Sequence, residues 1–384
     1  MPWQEVDAVD LRREFVALAC HSDVSMSELC ARYQISRKTG YKWLTRYRQL
    51  GPKGLTDQAR TPRHSPARTP REIEQLIVQC RAQYPAWGAR KLRKVLENQG
   101  HKTLPSPSTI TAVLRRHGCL TETSARSTPF VRFEHANPND LWQMDFKGHF
   151  PVGKGRCHPL TLLDDHSRYA LCLYASGDQT YKTVKGALTA VFSRYGLPKR
   201  MTMDNGPPWG NGGRGKYSRL TVWLIEQGIH VSHSTPYHPQ TQGKDERFHR
   251  TLNAELLQRR RWDCLATCQS HFDHWRQRYN TVRPHESLDM AVPSSRYRIS
   301  RTRYQPVLAA YEYGPGDKVR KVSRDQVASF AHQKVLLGEA FVGKWVAFRP
   351  TISSEEFTVH YCHQQIGKIS LAGVTGQRNF IRVL

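Results

Sequence analysis

Three acidic residues, each inside a short motif, are of the type that metal-dependent phosphoryl chemistry requires. They are Asp145 in LWQMDFKGHF, Asp204 in RMTMDNGPPWG and Glu246 in YHPQTQGKDERFHRTL. Clustered carboxylates form an all-oxygen anionic pocket, which selects Mg²⁺ or Mn²⁺ over zinc. Two such ions about 3.5–4 Å apart can activate the attacking oxygen and neutralise the leaving oxygen of a phosphodiester. The sequence therefore predicts these three residues as catalytic and metal-binding, with two ions in one site.

The three carboxylates are predicted to lie on two strands and one helix. Asp145 and Asp204 fall within or directly after short apolar runs that are typical of strands. Glu246 instead opens a stretch in which apolar residues recur at helical spacing after the breaker Gly243. It is therefore predicted in the first turn of a helix over 244–258, and folding must bring the three elements together.

Four other carboxylates lie near these motifs and compete for the same roles. Asp164 and Asp165 are interpreted as the end of a strand and the start of a turn, since adjacent strand residues point to opposite faces. Asp245 is turned by about 100° from Glu246 on a helix and should face elsewhere. Glu255 lies too far along the same helix and is interpreted as a solvated helix charge.

The order of the motifs resembles the integrase core of DDE transposases and retroviral integrases, over residues 137–300. Within that superfamily the chain is similar to bacterial insertion-sequence transposases whose single reading frame carries helix-turn-helix domains ahead of the core. The interval between Asp204 and Glu246 is longer than is usual there. We interpret the Gly-rich residues 210–215 as a surface loop insertion. The resemblance implies a ribonuclease H-like fold with the three carboxylates as its DDE triad.

The charge of the chain favours a polyanionic partner. The 384 residues contain 58 Lys and Arg against 32 Asp and Glu, which gives a formal net charge of +26. The basic excess is high in residues 36–72, and such a local excess is typical of a phosphate-binding surface. Basic composition alone is weak evidence, because ribosomal and other basic proteins share it.

Residues 1–50 are predicted to form a helix-turn-helix DNA-binding domain. Ser25 and Glu28 form a capping box for its second helix, and Ser36 caps the third. In that third helix Leu44 and Tyr47 are predicted to pack inward. An ordinary three-helix bundle with a solvated basic face is the alternative. The side chains predicted to face a DNA groove are Arg37, Lys38, Lys42 and Arg46.

A basic linker at 51–69 and a second helix-turn-helix domain at 70–118 are predicted to follow. The linker contains Pro and scattered Arg with little core of its own, so it is either an arm along the phosphate backbone or a plain tether. Ser106 and Ser108 offer caps for the last helix of the second domain. Two DNA-reading units in tandem suit a long terminal inverted repeat. Candidate phosphate contacts in this region are Arg60, Arg63, Arg68, Arg115 and Arg116.

The predicted fold class is multidomain α/β, with all-α helix-turn-helix domains first. A linker at 119–136 leads to the mixed α/β core at 137–300, and a small β-barrel is predicted at 301–384. In the core, strands come first and then alternate with helices, which fits a mixed sheet covered on both faces. Beyond residue 301, short β-branched runs separated by Gly or Asp favour the barrel. Its role is nonspecific DNA binding, protein contacts or stability alone.

The resemblance implies that the segment 235–243 is a mobile loop beside the active site that engages the DNA end. Its prolines restrict the backbone, while Tyr237, Gln240 and Gln242 offer stacking and hydrogen-bonding groups. Lys244 could add a phosphate contact. A purely structural turn is the alternative for any one of these residues.

Cysteine use favours a cytoplasmic protein, and the resemblance implies a bacterial, nucleoid-associated one. The nine cysteines follow no spaced framework, which favours reduced thiols. Residues 264–274 contain two Cys and two His, but one predicted helix cannot surround a zinc ion, so packing roles are favoured. No apolar run approaches the ~20 residues that span a membrane, so no membrane partner is predicted.

The leading hypothesis is a DNA transposase. It would bind the terminal inverted repeats of an insertion sequence and catalyse metal-dependent cleavage and strand transfer into double-stranded target DNA. Because two element ends are joined in one event, a homo-oligomer in a paired-end complex is predicted. The alternatives are a DNA-binding regulator with a silent core and a metal nuclease without strand transfer.

Overall fold

The computed structural model describes residues 7–21, 24–58, 68–120, 134–204, 206, 208–210, 217–233, 243–353, 355–372 and 380–382. The chain divides into two compact units, Met1–Arg68 and Thr69–Leu384.

The first unit contains three helices followed by a short 3₁₀ helix at Gly51–Leu55. The predicted capping box of Ser25 with Glu28 and the predicted cap at Ser36 are both confirmed. Leu55 is buried. The start of the segment predicted as a linker therefore contributes to the core of this unit. The helices are α1 (Ala8–His21), α2 (Met26–Arg32) and α3 (Arg37–Leu50).

The inward packing predicted for α3 holds for one of its two residues. Leu44 is buried, whereas Tyr47 is 36% exposed, so that part of the prediction is wrong. Gly40 instead lies at a close contact between α3 and its neighbouring helices. A Cβ atom there would lie 2.6 Å from Sγ of Cys30 and 2.9 Å from Cζ of Phe15. The close approach of α3 to its neighbours thus depends on glycine at position 40, which has no side chain.

The second unit begins with three helices around one apolar core. Ser106 caps the third of them as predicted, since its hydroxyl accepts the N–H of Thr109 at 3.3 Å. The core residues include Ile77, Leu92 and Ile110, all fully buried. The helices are α4 (Arg71–Gln83), α5 (Ala89–Asn98) and α6 (Pro107–Arg116).

A mixed sheet forms the middle of the second unit. Its order is β2-β3-β1-β5-β6, and β4 pairs with β3. β1 is antiparallel to β3 but parallel to β5, which is in turn parallel to β6. The strands are β1 (Leu141–Phe146), β2 (Phe150–Val152), β3 (Gly155–Asp164), β4 (Ala170–Ser176), β5 (Arg200–Met203) and β6 (His230–His233).

Helices cover both faces of this sheet, as the alternation of elements predicts. Trp142 and Met144 pack with the helices α7 and α8, whereas Leu163 and Leu173 pack with α9 and α10. The mixed α/β core is confirmed. The helices are α7 (Tyr181–Tyr195), α8 (Arg219–Glu226), α9 (Gly243–Glu255), α10 (Leu265–Thr281) and α11 (Pro293–Arg296), with short 3₁₀ helices at Leu257–Arg259 and Glu286–Leu288.

The C-terminal strands form two sheets, ordered β12-β11-β10-β7 and β13-β9-β8. Neither sheet closes on itself within the described residues, so the predicted barrel is not found there. The two sheets face each other instead, with Phe330 stacked on Phe348 at 4.2 Å. The strands are β7 (Lys318–Lys321), β8 (Val327–Phe330), β9 (Gln333–Leu336), β10 (Trp345–Pro350), β11 (Glu356–Tyr361), β12 (Gln364–Ser370) and β13 (Phe380–Arg382); a 3₁₀ helix lies at Glu339–Phe341.

Gln364 attaches the C-terminal sheets to the outer strand of the core. Its side-chain amide accepts the N–H and donates to the carbonyl oxygen of Val231, both at 2.8 Å. Val231 lies on β6, the last strand in the sheet order. An uncovered edge strand offers unpaired backbone groups to other chains. Gln364 forms hydrogen bonds with the two backbone groups of Val231.

Each of the nine cysteines is a free thiol. Cys268 is buried in the core, and Cys264 caps α10 by accepting the N–H of Thr267 at 3.5 Å. Of the helices in the described residues, none combines the length and apolar character needed to cross a membrane.

His285 holds a buried imidazole beside Arg283 and the ring of Tyr279. Burial, followed by the charge of Arg283, lowers the pKa of His285 well below its usual value. The unfolded chain accepts a proton near pH ~6.5, whereas the folded chain resists it. The contribution of neutral His285 to the stability of the folded chain is therefore fully present above that pH and is lost as the pH falls.

We expect the free energy of unfolding to decrease by up to about 1.4 kcal/mol per pH unit below pH ~6.5 because of this one residue. Denaturant titrations from about pH 7.5 to about pH 5.5 would measure the slope. His285→Gln should remove this part of the slope. His274→Gln, at an exposed position on α10, serves as the control. Equal slopes for the native chain and His285→Gln would contradict the prediction.

Candidate active site and nucleic-acid interface

Asp145 and Asp204 lie at the carboxyl ends of two neighbouring parallel strands. Asp145 is on β1, and Asp204 directly follows β5. The register pairs Gln143 with Thr202, so its continuation places Asp145 opposite Asp204. Carboxyl ends of adjacent parallel strands are where open α/β sheets place ligands. The structure thus brings two of the three predicted carboxylates to one edge of the sheet.

The carboxylate of Asp145 is partly buried and is held by the main chain. The N–H of Phe146 donates to Oδ1 at 2.7 Å. Burial raises the pKa of Asp145 to about 6; the hydrogen bond from Phe146 opposes the rise, and the negative charge of Asp204 adds to it. A bound cation would oppose both effects, because it stabilises the ionised form of the carboxylate.

His249 and Thr161 fix the strand that carries Asp145. The Thr161 hydroxyl donates to the backbone oxygen of Asp145 at 2.9 Å and lies 2.8 Å from Nε2 of His249. Since that hydroxyl already donates, Nε2 is assigned as the protonated nitrogen. Burial lowers the pKa of His249 to about 4, so its Nδ1, 4.0 Å from Oδ2 of Asp145, faces the carboxylate as a neutral acceptor. The contact is therefore not an ion pair.

His249 was missed by the sequence reasoning. It lies three positions after Glu246 on α9, and side chains at that spacing are neighbours on a helix. This spacing is the signal that could have found it.

The first turn of α9 presents two acidic side chains in different directions. Glu246 is exposed, whereas Asp245 is 1% exposed, and both of its carboxylate oxygens lack a hydrogen-bond partner in the described part of the chain. Burial, followed by the charges of Asp145 and Asp165, raises the pKa of Asp245 well above its usual value. The two side chains diverge, but the expectation that Asp245 faces away from the site is wrong, because Asp245 is the one within electrostatic reach of Asp145.

Within the described ranges, no group of three or more His, Cys, Asp or Glu side chains is arranged to hold a metal ion. Asp145 and Asp204 share the sheet edge, but Glu246 is not assembled with them. The complete triad therefore stays a prediction. The donors themselves are carboxylate oxygens in a partly buried, negative environment, which fits a hard divalent cation such as Mg²⁺.

Asp164 and Asp165 are buried structural residues at the end of β3, which confirms their interpretation as a strand end and turn. Asp164 accepts the backbone N–H of Asn139 at 2.7 Å. Asp165 accepts Nε2 of Gln143 at 3.0 Å and the ammonium of Lys244. The Lys244 side chain is 16% exposed. Its predicted phosphate contact stays a prediction, and its ammonium has a partner inside the protein.

Trp209 anchors the segment that follows Asp204. It is buried, and its ring stacks on Phe146 with centroids 5.3 Å apart. Phe146 is the residue whose N–H holds the Asp145 carboxylate. The residue directly before the predicted loop insertion is therefore packed against the strand of Asp145.

Glu255 is a buried acceptor, and its interpretation as a solvated helix charge is wrong. Its side chain is 6% exposed. Oε1 accepts the indole N–H of Trp87 at 2.9 Å and Nε of Arg283 at 2.8 Å, and Oε2 accepts the indole N–H of Trp275 at 3.0 Å. The local pattern could not reveal this role, since Trp87 is 168 positions away in the sequence.

One face of α3 carries exposed residues at helical spacing. Tyr41 is 48% exposed at the centre of this face, and the sequence reasoning did not single it out. Its ring lies between the basic side chains of Lys38 and Lys42 on the helix surface. We define the α3 face as Lys38, Tyr41, Lys42, Thr45 and Arg48, all exposed.

The other predicted contacts of the first unit are placed differently. Arg37 is exposed at the start of α3. Arg46 lies over the ring of Trp43 at 5.1 Å and donates to Oε1 of Gln58 at 3.2 Å, so its guanidinium is engaged within the unit. Arg68 is exposed.

In the second predicted DNA-reading domain, Arg115 is exposed at the end of α6, whereas Arg116 donates to the buried Glu74 at 2.6 Å. The remaining predicted contacts lie outside the described residues. They are Arg60, Arg63, Tyr237, Gln240 and Gln242.

Five family models match the chain. Two with the description integrase core domain match residues 135–239 and 227–293. A helix-turn-helix domain matches 12–63, and a homeodomain-like domain matches 39–114. The C-terminal domain of IS481 family transposases matches 317–375. The resemblance to insertion-sequence transposases is confirmed.

Two proteins of bacterial insertion elements are among the relatives of this chain. The uncharacterized 31.7 kDa protein of insertion element IS407 from Burkholderia multivorans is 24% identical over 62% of this chain and 87% of its own. The uncharacterized 39.2 kDa protein of IS476 from Xanthomonas euvesicatoria is 26% identical over 47% of this chain and 49% of its own. The domain content supports a DNA transposase or integrase as the function class.

Among solved structures, the chain is similar to a simian T-cell lymphotropic virus intasome in complex with PP2A regulatory subunit B56 gamma. The identity is 14% and the TM-score 0.38, over 71% of this chain and 87% of that one.

Proposed function

We propose that the chain is a DDE transposase that binds the terminal inverted repeats of an insertion sequence and joins their 3′ ends to target DNA. The observation that carries this proposal is the pairing of Asp145 with Asp204 at one sheet edge, in a chain whose other regions match helix-turn-helix models. A silent regulator would not require two carboxylates to be held side by side at the ends of these strands.

Asp145, Asp204 and Glu246 are proposed to hold two Mg²⁺ or Mn²⁺ ions. When bound, such ions supply Lewis-acid polarisation of a phosphoryl oxygen and charge for the attacking and leaving oxygens. The chain itself orients the first ligand: the N–H of Phe146 holds Oδ1, and the Thr161 hydroxyl holds the backbone of Asp145. Stacking of Trp209 on Phe146 excludes water from one side of that strand.

The α3 face is proposed to read bases of the terminal repeat from the major groove, with Arg37 and Arg46 beside it. The other proposed DNA contacts are Arg60, Arg63, Arg68, Arg115, Arg116, Tyr237, Gln240, Gln242 and Lys244. The net charge of +26 would favour association with both element ends and target DNA, in a manner that weakens as salt increases.

A homo-oligomer in a paired-end complex is part of the proposal, because two ends must be joined to one target site. The chain would act at the bacterial nucleoid in the cytoplasm. The C-terminal sheets would stabilise the core, since Gln364 is hydrogen-bonded to its outer strand.

The proposal is tested by joining a labelled element-end duplex to plasmid DNA with the native chain. We expect joined product with Mg²⁺ and none with a chelator, because the carboxylates alone cannot supply the required positive charge. A duplex of scrambled end sequence is the control for selectivity. Cleavage without joining would instead indicate a nuclease, and end binding without chemistry in any divalent metal would indicate a silent regulator.

Replacing Tyr41 by Ala should weaken selective binding of the element end by about 1–3 kcal/mol, the usual value of one base contact. Tyr47→Ala on the same helix is the matched control, since Tyr47 is exposed outside the α3 face. Titration of both variants at one salt concentration would measure the difference. Equal losses for the two tyrosines would show that the α3 face is not the reading surface.

A further inference from the structure

The second predicted DNA-reading domain is attached to the catalytic core through the carboxylate of Glu255. Trp87, in the turn between α4 and α5, donates its indole N–H to that carboxylate, and two residues of the core donate to it as well. We infer that Glu255 is a positioning residue, which fixes this domain to the last turn of the helix whose first turn carries Glu246. The inference rests on the proposed function, in which Glu246 completes the metal site.

The attachment is an extended packed contact around Trp87. The ring of Trp87 is buried and stacks on Tyr84 with centroids 4.0 Å apart. The guanidinium of Arg278, on α10, lies 6.0 Å from the centroid of the Tyr84 ring. Val282 packs against the apolar core of α4 to α6. The domain is therefore held against α9 and α10 by aromatic packing as well as by hydrogen bonds.

The charges around Glu255 explain why an acid is needed there. Arg283 is 9% exposed, so its guanidinium requires a buried anion. Lys91, on α5, is half-buried nearby, and burial, followed by the charge of Arg283, lowers its pKa to about 8. The carboxylate of Glu255 pairs with Arg283, and its negative charge opposes the lowering of the Lys91 pKa from the other side of the contact. A shift of the domain would disturb the hydrogen bonds of Glu255 to the core as well.

The helix α9 connects this contact to the catalytic edge. Glu255 is its last residue and Glu246 lies in its first turn, about 13.5 Å apart along a rigid rod at 1.5 Å per residue. Between them Phe248 and Leu252 are buried against the sheet, and His249 contacts Thr161 behind Asp145. Movement of the last turn cannot be absorbed by loose packing, so it would be transmitted to the first turn.

A matched pair of substitutions distinguishes the contact of Glu255 with the DNA-reading domain from its contact with the core. Trp87→Phe and Trp275→Phe each remove one indole N–H from the same carboxylate and the same volume from a buried site, but only Trp87 belongs to the DNA-reading domain. With saturating element-end duplex, we expect Trp87→Phe to lower the joining rate about 10-fold while the half-saturating duplex concentration changes less than about 2-fold. Trp275→Phe should stay within about 2-fold of the native chain in both.

A second readout does not depend on chemistry. Hydrogen exchange of the α9 amides should slow when the element-end duplex binds the native chain or Trp275→Phe, and should not slow in Trp87→Phe. Trp87→His retains a ring N–H donor and should therefore recover part of the slowing of exchange seen in the native chain. If the melting curve shows that Trp87→Phe does not fold, Trp87→His takes its place.

The outcomes distinguish this inference from the proposed function. Equal losses in the two Phe variants, or a change only in half-saturating concentration for Trp87→Phe, would overturn the positioning role of Glu255. An equal change in hydrogen exchange of the α9 amides on duplex binding in Trp87→Phe and Trp275→Phe would also overturn it. A native chain that binds ends but joins none would contradict the proposed catalysis, and the exchange comparison would still test the coupling.

Discussion

Asp145→Asn and Glu246→Gln are each expected to lower the joining of element ends to target DNA by at least about 10³-fold. Asn and Gln preserve the size of the side chains but remove the negative charge that a divalent ion requires. At Asp145 the site is already partly buried, and burial raises the pKa of the carboxyl to about 6. Neutralisation there would remove the main attraction for a cation. A single-turnover joining assay in Mg²⁺ would measure the loss.

Asp245→Asn is the matched control for Glu246→Gln, because the two acids are adjacent in the first turn of α9. Asp245 is 1% exposed, and its oxygens have no hydrogen-bond partner among the residues that the structure describes, so its loss should leave joining within about 10-fold of the native rate. The reverse result, with Asp245→Asn inactive and Glu246→Gln active, would transfer the third ligand position to Asp245. Activity in Asp145→Asn would reject the proposed site altogether.

Local chemistry was enough to predict many elements of this chain. Glu246 lies in the first turn of α9 (Gly243–Glu255), as the apolar periodicity of that stretch indicates. The caps at Ser25, Ser36 and Ser106 follow from side chains within three residues of the helix start. Such features depend on neighbours in the sequence, so a single sequence contains them.

Features that depend on distant partners were not predictable in the same way. Glu255 has the sequence context of a solvated helix residue, and its partner Trp87 belongs to another part of the chain. Tyr47 was expected inside the first unit, but Leu55 of the following 3₁₀ helix is buried there while Tyr47 is 36% exposed. The C-terminal strands were largely predicted, whereas their pairing into two sheets was not. Pairing is decided by long-range packing that periodicity does not encode.

The candidate site likewise combines features that local sequence predicts with features that depend on distant contacts. The motifs identified Asp145 and Asp204, and the parallel register of β1 and β5 places them together. The burial of Asp245 and the contact of His249 with Thr161 arise only when α9 packs on the sheet. Desolvation is a property of the folded environment, so the pKa shifts at these residues could not be derived from residue types alone.

Two helix-interior glycines are expected to respond to the same substitution with opposite signs. Gly40→Ala should destabilise the first unit by about 1–3 kcal/mol, since overpacking outweighs the gain of about 1 kcal/mol in helix propensity. A Cβ atom at Gly40 would lie 2.6 Å from Sγ of Cys30. Gly186 on α7 has open space around it, so Gly186→Ala should stabilise the second unit by about 0.5–1 kcal/mol.

Calorimetry of the full chain would measure both effects, because Gly40 and Gly186 belong to different compact units. The consequence for function follows from α3, which carries both Gly40 and the α3 face. Gly40→Val, with two more methyl groups, should unfold the first unit at the assay temperature and abolish selective end binding, while the melting of the second unit is retained. Selective binding that survives in Gly40→Val, with the first unit shown to be unfolded, would assign recognition of the element end to α4 to α6 instead of α3.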